Sequence, residues 1–119
     1  PVTTPFGKVG IIICGDFFDE SVLAKVNSTR PDILVVPVAI PIALFDSSYG
    51  NSHSEKWAKY KREWIDQAKR LGTTCILINS VSDEKKGSHS GGAMIVSRMG
   101  KILAESEIGN EAVLYYEFP

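Results

Sequence analysis

Three short runs of aliphatic and β-branched residues constrain the fold of this chain more than any other feature. They occupy residues 9–14, 32–37 and 73–79. Continuous apolar runs of this length are typical of strands that are buried on both faces of a sheet. The segments between the runs have helical spacing. A strand, a helix and a second strand predict a parallel pair joined by a right-handed crossover.

Two helices are predicted between these strands. The first begins at Asp19 or Glu20 and ends at the Arg30-Pro31 pair, because proline disfavours helix in the residue before it. The second begins at a capping box over residues 52–55 and ends at Gly72. Its apolar residues recur every three or four positions, which predicts an amphipathic helix. They are Trp57, Tyr60, Trp64, Ile65, Ala68 and Leu71.

The last third of the chain predicts antiparallel structure. Residues 82–92 are rich in serine, glycine and charge and predict a surface loop. Residues 93–97 and 101–105 predict a hairpin that turns at Gly100, and residues 112–117 predict a final strand. The fold class is therefore α/β with a mixed β-sheet, as one domain over residues 1–119. Two helices are few for covering two sheet faces, so we expect a further layer or a homo-oligomer.

Composition excludes several classes of partner. The net charge is −1, with 13 basic and 14 acidic residues, which gives no basic surface for nucleic acid or an anionic membrane. The longest apolar stretch, residues 33–45, is too short and too interrupted by proline to span a bilayer. No leader segment is recognisable, and two cysteines lack any disulfide spacing. We expect a cytoplasmic protein whose partners are small molecules or proteins.

Cys14 is the principal candidate for chemistry. It ends a predicted buried strand and precedes Gly15 and Asp16, at the edge where α/β folds place reactive groups. A thiolate there is a nucleophile, and Gly15 would allow a sharp turn that presents a backbone N–H to a substrate carbonyl oxygen. Free cysteine is also among the most buried residue types, so a purely structural Cys14 is the alternative.

The other candidate groups have structural interpretations. Cys75 lies inside a predicted strand and is read as core. Asp19 and Glu20 open a helix, where acids interact with the helix dipole. His53 and His89 are far apart and have no cysteine or carboxylate at metal-ligand spacing, so no metal site is expected.

Four segments together resemble the nitrilase superfamily of carbon-nitrogen hydrolases. Residues 6–16, Phe-Gly-Lys-Val-Gly-Ile-Ile-Ile-Cys-Gly-Asp, resemble the strand that delivers Cys-x-Asp or Cys-x-Glu in that family. Residues 32–39 look like the next strand, and residues 57–79 look like the following helix and a strand ending in asparagine. Residues 90–104 are similar to the family's Gly-x-Ile-Leu-Ala hairpin. Nearly the whole chain is covered, in the family's order.

The resemblance implies a specific architecture and chemistry. It implies that the chain forms half of a four-layer α-β-β-α sandwich and corresponds to the C-terminal portion of a catalytic domain. Cys14 would be the nucleophile that attacks a small amide or nitrile, the Gly15 N–H would bind the oxyanion, and no cofactor would be needed. The substrate pocket would include Asp16, Phe17 and Ala39.

The resemblance also implies that the chain needs a complement. The family uses a glutamate and a lysine that precede the segment resembling residues 7–16, so a fragment of this extent is expected to be nearly inert. The expected partner is the missing N-terminal half or a second copy of the chain. Two alternatives stay open: a noncatalytic interaction domain in which Cys14 is core and the helix over residues 57–71 binds a partner, and another cysteine hydrolase whose base lies within this chain.

Overall fold

The computed structural model describes residues 1–40, 53–82 and 89–119. Its elements are β1 (Val2–Thr4), β2 (Gly7–Ile11), a 3-10 helix (Cys14–Phe18), α1 (Glu20–Thr29), β3 (Ile33–Val38), α2 (His53–Leu71), β4 (Thr74–Asn79), β5 (Ala93–Val96) and β6 (Ile102–Glu105). We call Cys14–Phe18 the cysteine turn. Ser52, which would begin the predicted capping box, lies outside the described residues.

The six strands form one mixed sheet in sequence order, β1 to β6. β2, β3 and β4 are parallel, with Gly10 opposite Leu34 and Leu34 opposite Cys75. β1, β5 and β6 pair antiparallel with their neighbours. The predicted α/β class and mixed sheet are confirmed, and so are the parallel pairs that each helical crossover implied. β1 was not predicted.

Helix α1 has the bounds that its flanking residues dictate. Asp19 caps it, since its carboxylate accepts hydrogen bonds from the N–H groups of Ser21 at 2.8 Å and Val22 at 3.2 Å. Arg30 ends it in the left-handed region, with φ 46°, directly before Pro31. The predicted start and stop are therefore confirmed.

Helix α2 packs its apolar stripe into the core of this chain. Trp57, Trp64 and Ala68 are buried, and the two indole rings meet edge to face with centroids 5.6 Å apart. The helix ends at Leu71 and is followed by Gly72 at φ 60°, as predicted. Both tryptophans therefore serve the chain's own core and are not available to a partner chain.

The strands are buried on one face only, which corrects the expectation of burial on both. Residues 34, 36 and 38 of β3 and residues 75 and 77 of β4 face the core, while their neighbours alternate outward. On the other face Ile11, Ile13 and Ile78 are 67%, 64% and 47% exposed. Within the described residues, the chain supplies one helical layer for its single sheet, which fits the half-sandwich that the resemblance implies.

Two predictions near the C-terminus are wrong. Residues 112–117 form no strand with any part of the chain that the structure describes, although their pattern suits one. The surface loop predicted over residues 82–92 is wrong at its C-terminal end, where residues 90–92 are buried and Ser90, at 1% exposure, bridges to Val81. Residues 83–88 of that prediction lie outside the described residues. The hairpin of β5 and β6 is confirmed, with Gly100 at φ 80°.

Across the described ranges, no helix combines the length and the apolar character needed to cross a bilayer.

Candidate active site

The carboxyl ends of the three parallel strands define one edge of the sheet, and Cys14 lies at this edge. The ladder between β2 and β3 extends to Ile12, whose N–H donates to the Val35 carbonyl at 3.1 Å. Two residues later the cysteine turn begins, and it lies against β3. The placement of Cys14 at this edge is the one that the sequence predicted, although the strand itself ends at Ile11.

Cys14 has an unusual backbone conformation. Its φ is 51°, which lies in the left-handed region that non-glycine residues seldom adopt. Such a conformation costs about 1–3 kcal/mol and persists only where the surrounding structure enforces it. The sharp turn was assigned to Gly15 from the sequence. The structure places it at Cys14 instead, since Gly15 is not among the glycines with positive φ.

Short-range hydrogen bonds close the cysteine turn. The Asp16 carboxylate accepts from the Ile13 N–H at 3.3 Å, and the Asp16 N–H donates to the Ile13 carbonyl at 3.1 Å. The Asp19 N–H then donates to the Asp16 carbonyl at 3.2 Å and joins the turn to α1. Asp16 was expected to line a substrate pocket. It is exposed at this edge, but its carboxylate also stabilises the backbone directly before Cys14.

Phe17 has a structural role in place of the predicted one. It was expected in the substrate pocket, but its side chain is fully buried in the hydrophobic core. The 3-10 geometry turns this residue inward, while Phe18 stays 44% exposed and meets the Phe17 ring edge to face. Phe17 therefore anchors the cysteine turn to the core.

The two cysteines differ in environment. Cys14 is half-buried, packs against the edge of the core, and has no hydrogen-bond partner for its sulfur among the described residues. Cys75 is fully buried in β4, and burial raises the pKa of its thiol to about 12. Cys75 is therefore core, as predicted, and stays a neutral thiol at physiological pH.

Gly15 leaves open space beside Cys14. A β-carbon built on Gly15 would meet nothing within 4 Å. The Gly15 N–H opens a 3-10 helix, where the first N–H groups have no partner within the helix, and it has no acceptor among the described residues. A backbone donor with room around it is the feature that an oxyanion site needs.

A buried amide organises the neighbouring strand ends. The Asn79 side chain accepts from the Ile40 N–H at 2.8 Å and donates to Ser90 Oγ at 2.7 Å and to the Gly91 carbonyl at 2.8 Å. Asn79 is 7% exposed. Ala39, the predicted pocket residue, is exposed next to Ile40 at this edge. The Asn79 network thus fixes the point where the chain leaves β3 for residues 41–52.

The acidic residues after the cysteine turn have helical roles. The hydrogen bond from the Ser21 side chain, followed by those from the backbone of Val22 and Ser21, lowers the pKa of Asp19. Glu20 forms a two-pronged ion pair with Arg70 of α2, and this hydrogen bonding lowers the pKa of the Glu20 carboxyl. Both residues support helices, as the sequence indicated.

His89 forms no hydrogen bond with Cys14 in the described part of the chain. The His89 ring nitrogen Nδ1 lies 3.4 Å from Ser82 Oγ, and the side chain of His53 lies outside the described residues. Sequence reasoning missed the left-handed Cys14 and the hydrogen bonds around Asn79. An asparagine ending an apolar strand was the available signal, since a buried amide must find partners.

Solved structures share this fold over nearly the whole chain. A carbon-nitrogen hydrolase from Helicobacter pylori G27 matches with a TM-score of 0.80 at 24% identity, covering 97% of this chain and 41% of that one. A glutamine-dependent NAD+ synthetase from Acinetobacter baumannii matches with a TM-score of 0.79 at 19% identity, covering 96% of this chain and 20% of that one. The NitN amidase from Nesterenkonia sp. AN1 matches with a TM-score of 0.70 at 20% identity, covering 100% and 42%.

These comparisons also delimit the match. This chain spans less than half the length of each of these structures. No curated protein matches the chain. The family model described as carbon-nitrogen hydrolase matches residues 1–119, the full length of the sequence. The resemblance that the sequence motifs indicated is thereby confirmed, and the chain belongs to the carbon-nitrogen hydrolase family.

Proposed function

We propose that this chain carries the nucleophile of a carbon-nitrogen hydrolase that cleaves a small amide or nitrile through a thioester at Cys14. The observation that supports this role most strongly is the backbone of Cys14. A half-buried thiol sits in a left-handed conformation at the carboxyl edge of a parallel sheet. Strained residues of this kind cluster at active sites, and unlike Arg30, which ends α1 in the same region, Cys14 does not end a long helix.

The reaction with an amide proceeds in two steps. The Cys14 thiolate attacks the carbonyl carbon, and the carbonyl oxygen gains charge and accepts a hydrogen bond from the Gly15 N–H. The carbon-nitrogen bond then breaks, the nitrogen takes up a proton, and ammonia or an amine leaves. Water attacks the resulting thioester, releases the carboxylic acid and restores the thiol. Of the proposed pocket residues, Asp16 and Ala39 are exposed at this edge of the sheet.

The proton transfers need groups from outside these residues. Catalysis by a cysteine requires a base that takes the thiol proton and later activates water against the thioester. Within the part of the chain that the structure describes, no titratable side chain forms a hydrogen bond with Cys14. The proposal assigns proton transfer and further oxyanion stabilisation to a glutamate and a lysine on another polypeptide segment, so the chain alone turns over very slowly.

The exposed apolar face of the sheet is a reason to expect that another polypeptide segment packs against this chain. Ile11, Ile13 and Ile78 expose apolar surface on the face opposite the helices. A cavity of about 770 Å³ lies on the same face, between the sheet residues Val35 and Ile76 and the C-terminal residues 116–118. We expect the remaining portion of the catalytic domain, or a second copy of the chain, to cover this surface.

The proposal is tested by labelling with acrylamide, which carries an amide and adds irreversibly to a thiolate. Mass mapping of the native chain is expected to show faster addition at Cys14 than at Cys75. An excess of propionamide, the saturated analogue, should slow labelling of Cys14 by occupying the same site, while propionate should not. A Cys14→Ser variant serves as control for reaction at Cys75.

Two results would contradict the proposal. Labelling of Cys14 that is insensitive to propionamide would argue against an amide site. Labelling as slow as that of Cys75 until the chain is unfolded would argue that Cys14 is core. A parallel ammonia assay with small amides is expected to show no release, and release by the chain alone would show that its base lies within these 119 residues.

A further inference from the structure

We propose that Gln67 of α2 is a positioning residue that holds the cysteine turn in its left-handed conformation. This inference rests on the proposed role of Cys14 as nucleophile, and it concerns a contact between two elements that are fifty residues apart. Gln67 Nε2 donates a hydrogen bond to the Phe17 carbonyl at 3.1 Å. The donor is a side-chain amide, and the acceptor is backbone within the turn.

The strain at Cys14 requires an external support. A non-glycine residue at φ 51° relaxes toward negative φ unless its surroundings prevent this. The hydrogen bonds between Ile13, Asp16 and Asp19 are all local, so they can move together with the turn. Fixing the turn in place therefore depends on contacts with elements that are remote in sequence.

Phe17 supplies both of those contacts. Its ring is fully buried in the core and opposes withdrawal of the turn. Its carbonyl accepts the hydrogen bond from Gln67. Among the described residues, this is the single hydrogen bond that joins residues 14–18 to an element distant in the chain. Burial resists translation of the turn, and a directional hydrogen bond fixes its orientation.

The register of α2 places Gln67 where this contact is rigid. Trp64 and Ala68, on either side of it, are buried at 2% and 0% exposure, so the helix cannot rotate away from the core. One turn later Arg70 pairs with Glu20 of α1. Arg70 therefore joins α2 to α1, whereas Gln67 joins α2 to the cysteine turn that carries Cys14.

Two substitutions separate the hydrogen bond from the packing. Gln67→Met keeps the length and the apolar contacts of the side chain but removes the donor. Gln67→Glu keeps the shape and replaces the donor by a carboxylate, which repels the Phe17 carbonyl when ionised and donates to it when protonated. Arg70→Met is the matched control, because it breaks a contact of the same helix that does not touch the cysteine turn.

The primary measurement is amide hydrogen exchange in the native chain. Loss of one neutral hydrogen bond is expected to lower the protection of the Asp16 and Asp19 N–H groups about fivefold in Gln67→Met. Protection in β4 should stay unchanged, and Arg70→Met should not affect the turn. In Gln67→Glu the deficit should be present at pH 7 and recover at pH 4. Protection recovers at low pH because contact with the Phe17 carbonyl favours the protonated form of the introduced carboxyl group and raises the pKa of that group.

The same variants are then labelled with acrylamide. Gln67→Met is expected to change the labelling rate of Cys14 relative to wild type while Cys75 and the Arg70→Met control do not respond. Unchanged protection of the turn in Gln67→Met, or a deficit in Gln67→Glu that does not depend on pH, would overturn the positioning role. If the turn loses protection but wild-type Cys14 labels no faster than Cys75, the positioning role stands and the proposed nucleophile fails.

Discussion

The left-handed backbone of Cys14 predicts that glycine is more stable than alanine at this position, whereas the reverse is expected at Cys75. Replacing Cys14 by glycine or by alanine removes the thiol in both cases, and the two variants differ by one β-carbon. In the left-handed region a β-carbon costs about 1–2 kcal/mol. Glycine offsets part of this through its larger unfolded-state entropy, by about 0.4–1 kcal/mol. We therefore expect Cys14→Gly to be more stable than Cys14→Ala by about 0.5–1 kcal/mol.

Cys75 supplies the matched control. It is the second residue of β4 and is paired with Leu34 on one side and Val96 on the other, and its φ is not among the positive values. A glycine in a strand interior is less favourable than alanine by roughly 0.5–1 kcal/mol. Cys75→Gly is thus expected to be less stable than Cys75→Ala. The opposite signs at the two positions exclude a general effect of glycine.

Urea unfolding monitored by circular dichroism measures both differences. With an m-value of about 2 kcal/mol/M, the midpoint of Cys14→Gly should exceed that of Cys14→Ala by about 0.4 M. Equal midpoints, or a lower midpoint for Cys14→Gly, would refute the left-handed assignment and with it the argument that the fold presents Cys14 under strain.

Three further predictions concern the edge of the sheet and the helices. Asn79→Ala should cost about 3 kcal/mol in urea unfolding, since it removes three buried hydrogen bonds, whereas the exposed Asn27→Ala should stay within about 0.5 kcal/mol. Asp19→Asn should make the melting temperature less dependent on pH in the acid range. Because the pKa of Asp19 is lowered in the folded state, its carboxylate stabilises the fold at pH values above the ordinary pKa near 3.9, and this contribution is lost as the pH falls through the folded-state pKa. Gly100→Ala should cost about 1–2 kcal/mol by thermal unfolding because of its left-handed φ, while Gly15→Ala, whose β-carbon enters open space, should stay within about 0.5 kcal/mol.

The parts of the fold that the sequence predicts well are those with local causes. The bounds of α1 follow from the Asp19 cap and the Arg30-Pro31 stop, which act within one helical turn. The hairpin follows from Gly100, whose positive φ is set by the turn itself. The parallel order of β2, β3 and β4 follows from the helical crossovers between them.

The parts that the sequence predicts poorly depend on distant partners. A strand over residues 112–117 needs a neighbour to pair with. It pairs with none of the described strands, although β1 and β6 at the two ends of the sheet each leave one side unpaired. The burial of both sheet faces likewise needs a second layer, which these residues do not supply. Local pattern indicates the strand and the apolar face in each case, but it does not indicate what covers them.

In the candidate site, too, the features with local causes are predicted from the sequence, and those that depend on distant residues are not. Cys14 and Gly15 follow a strand directly, so their place at the sheet edge is readable from the chain. The left-handed φ of Cys14 is enforced by the burial of Phe17 and by a hydrogen bond from Gln67, which is fifty residues away. The resemblance implies that Phe17 lines the pocket, but the 3-10 geometry turns its side chain into the core.

The most direct test of the account is the alkylation rate of the two cysteines by iodoacetamide, mapped by mass spectrometry in the native chain from pH 5 to pH 10. The account predicts that Cys14 reacts at every pH faster than Cys75, whose pKa of about 12 and complete burial leave it unreactive until the chain unfolds. Equal and slow labelling of both residues would contradict it, because Cys14 would then be a second core cysteine and not a presented nucleophile.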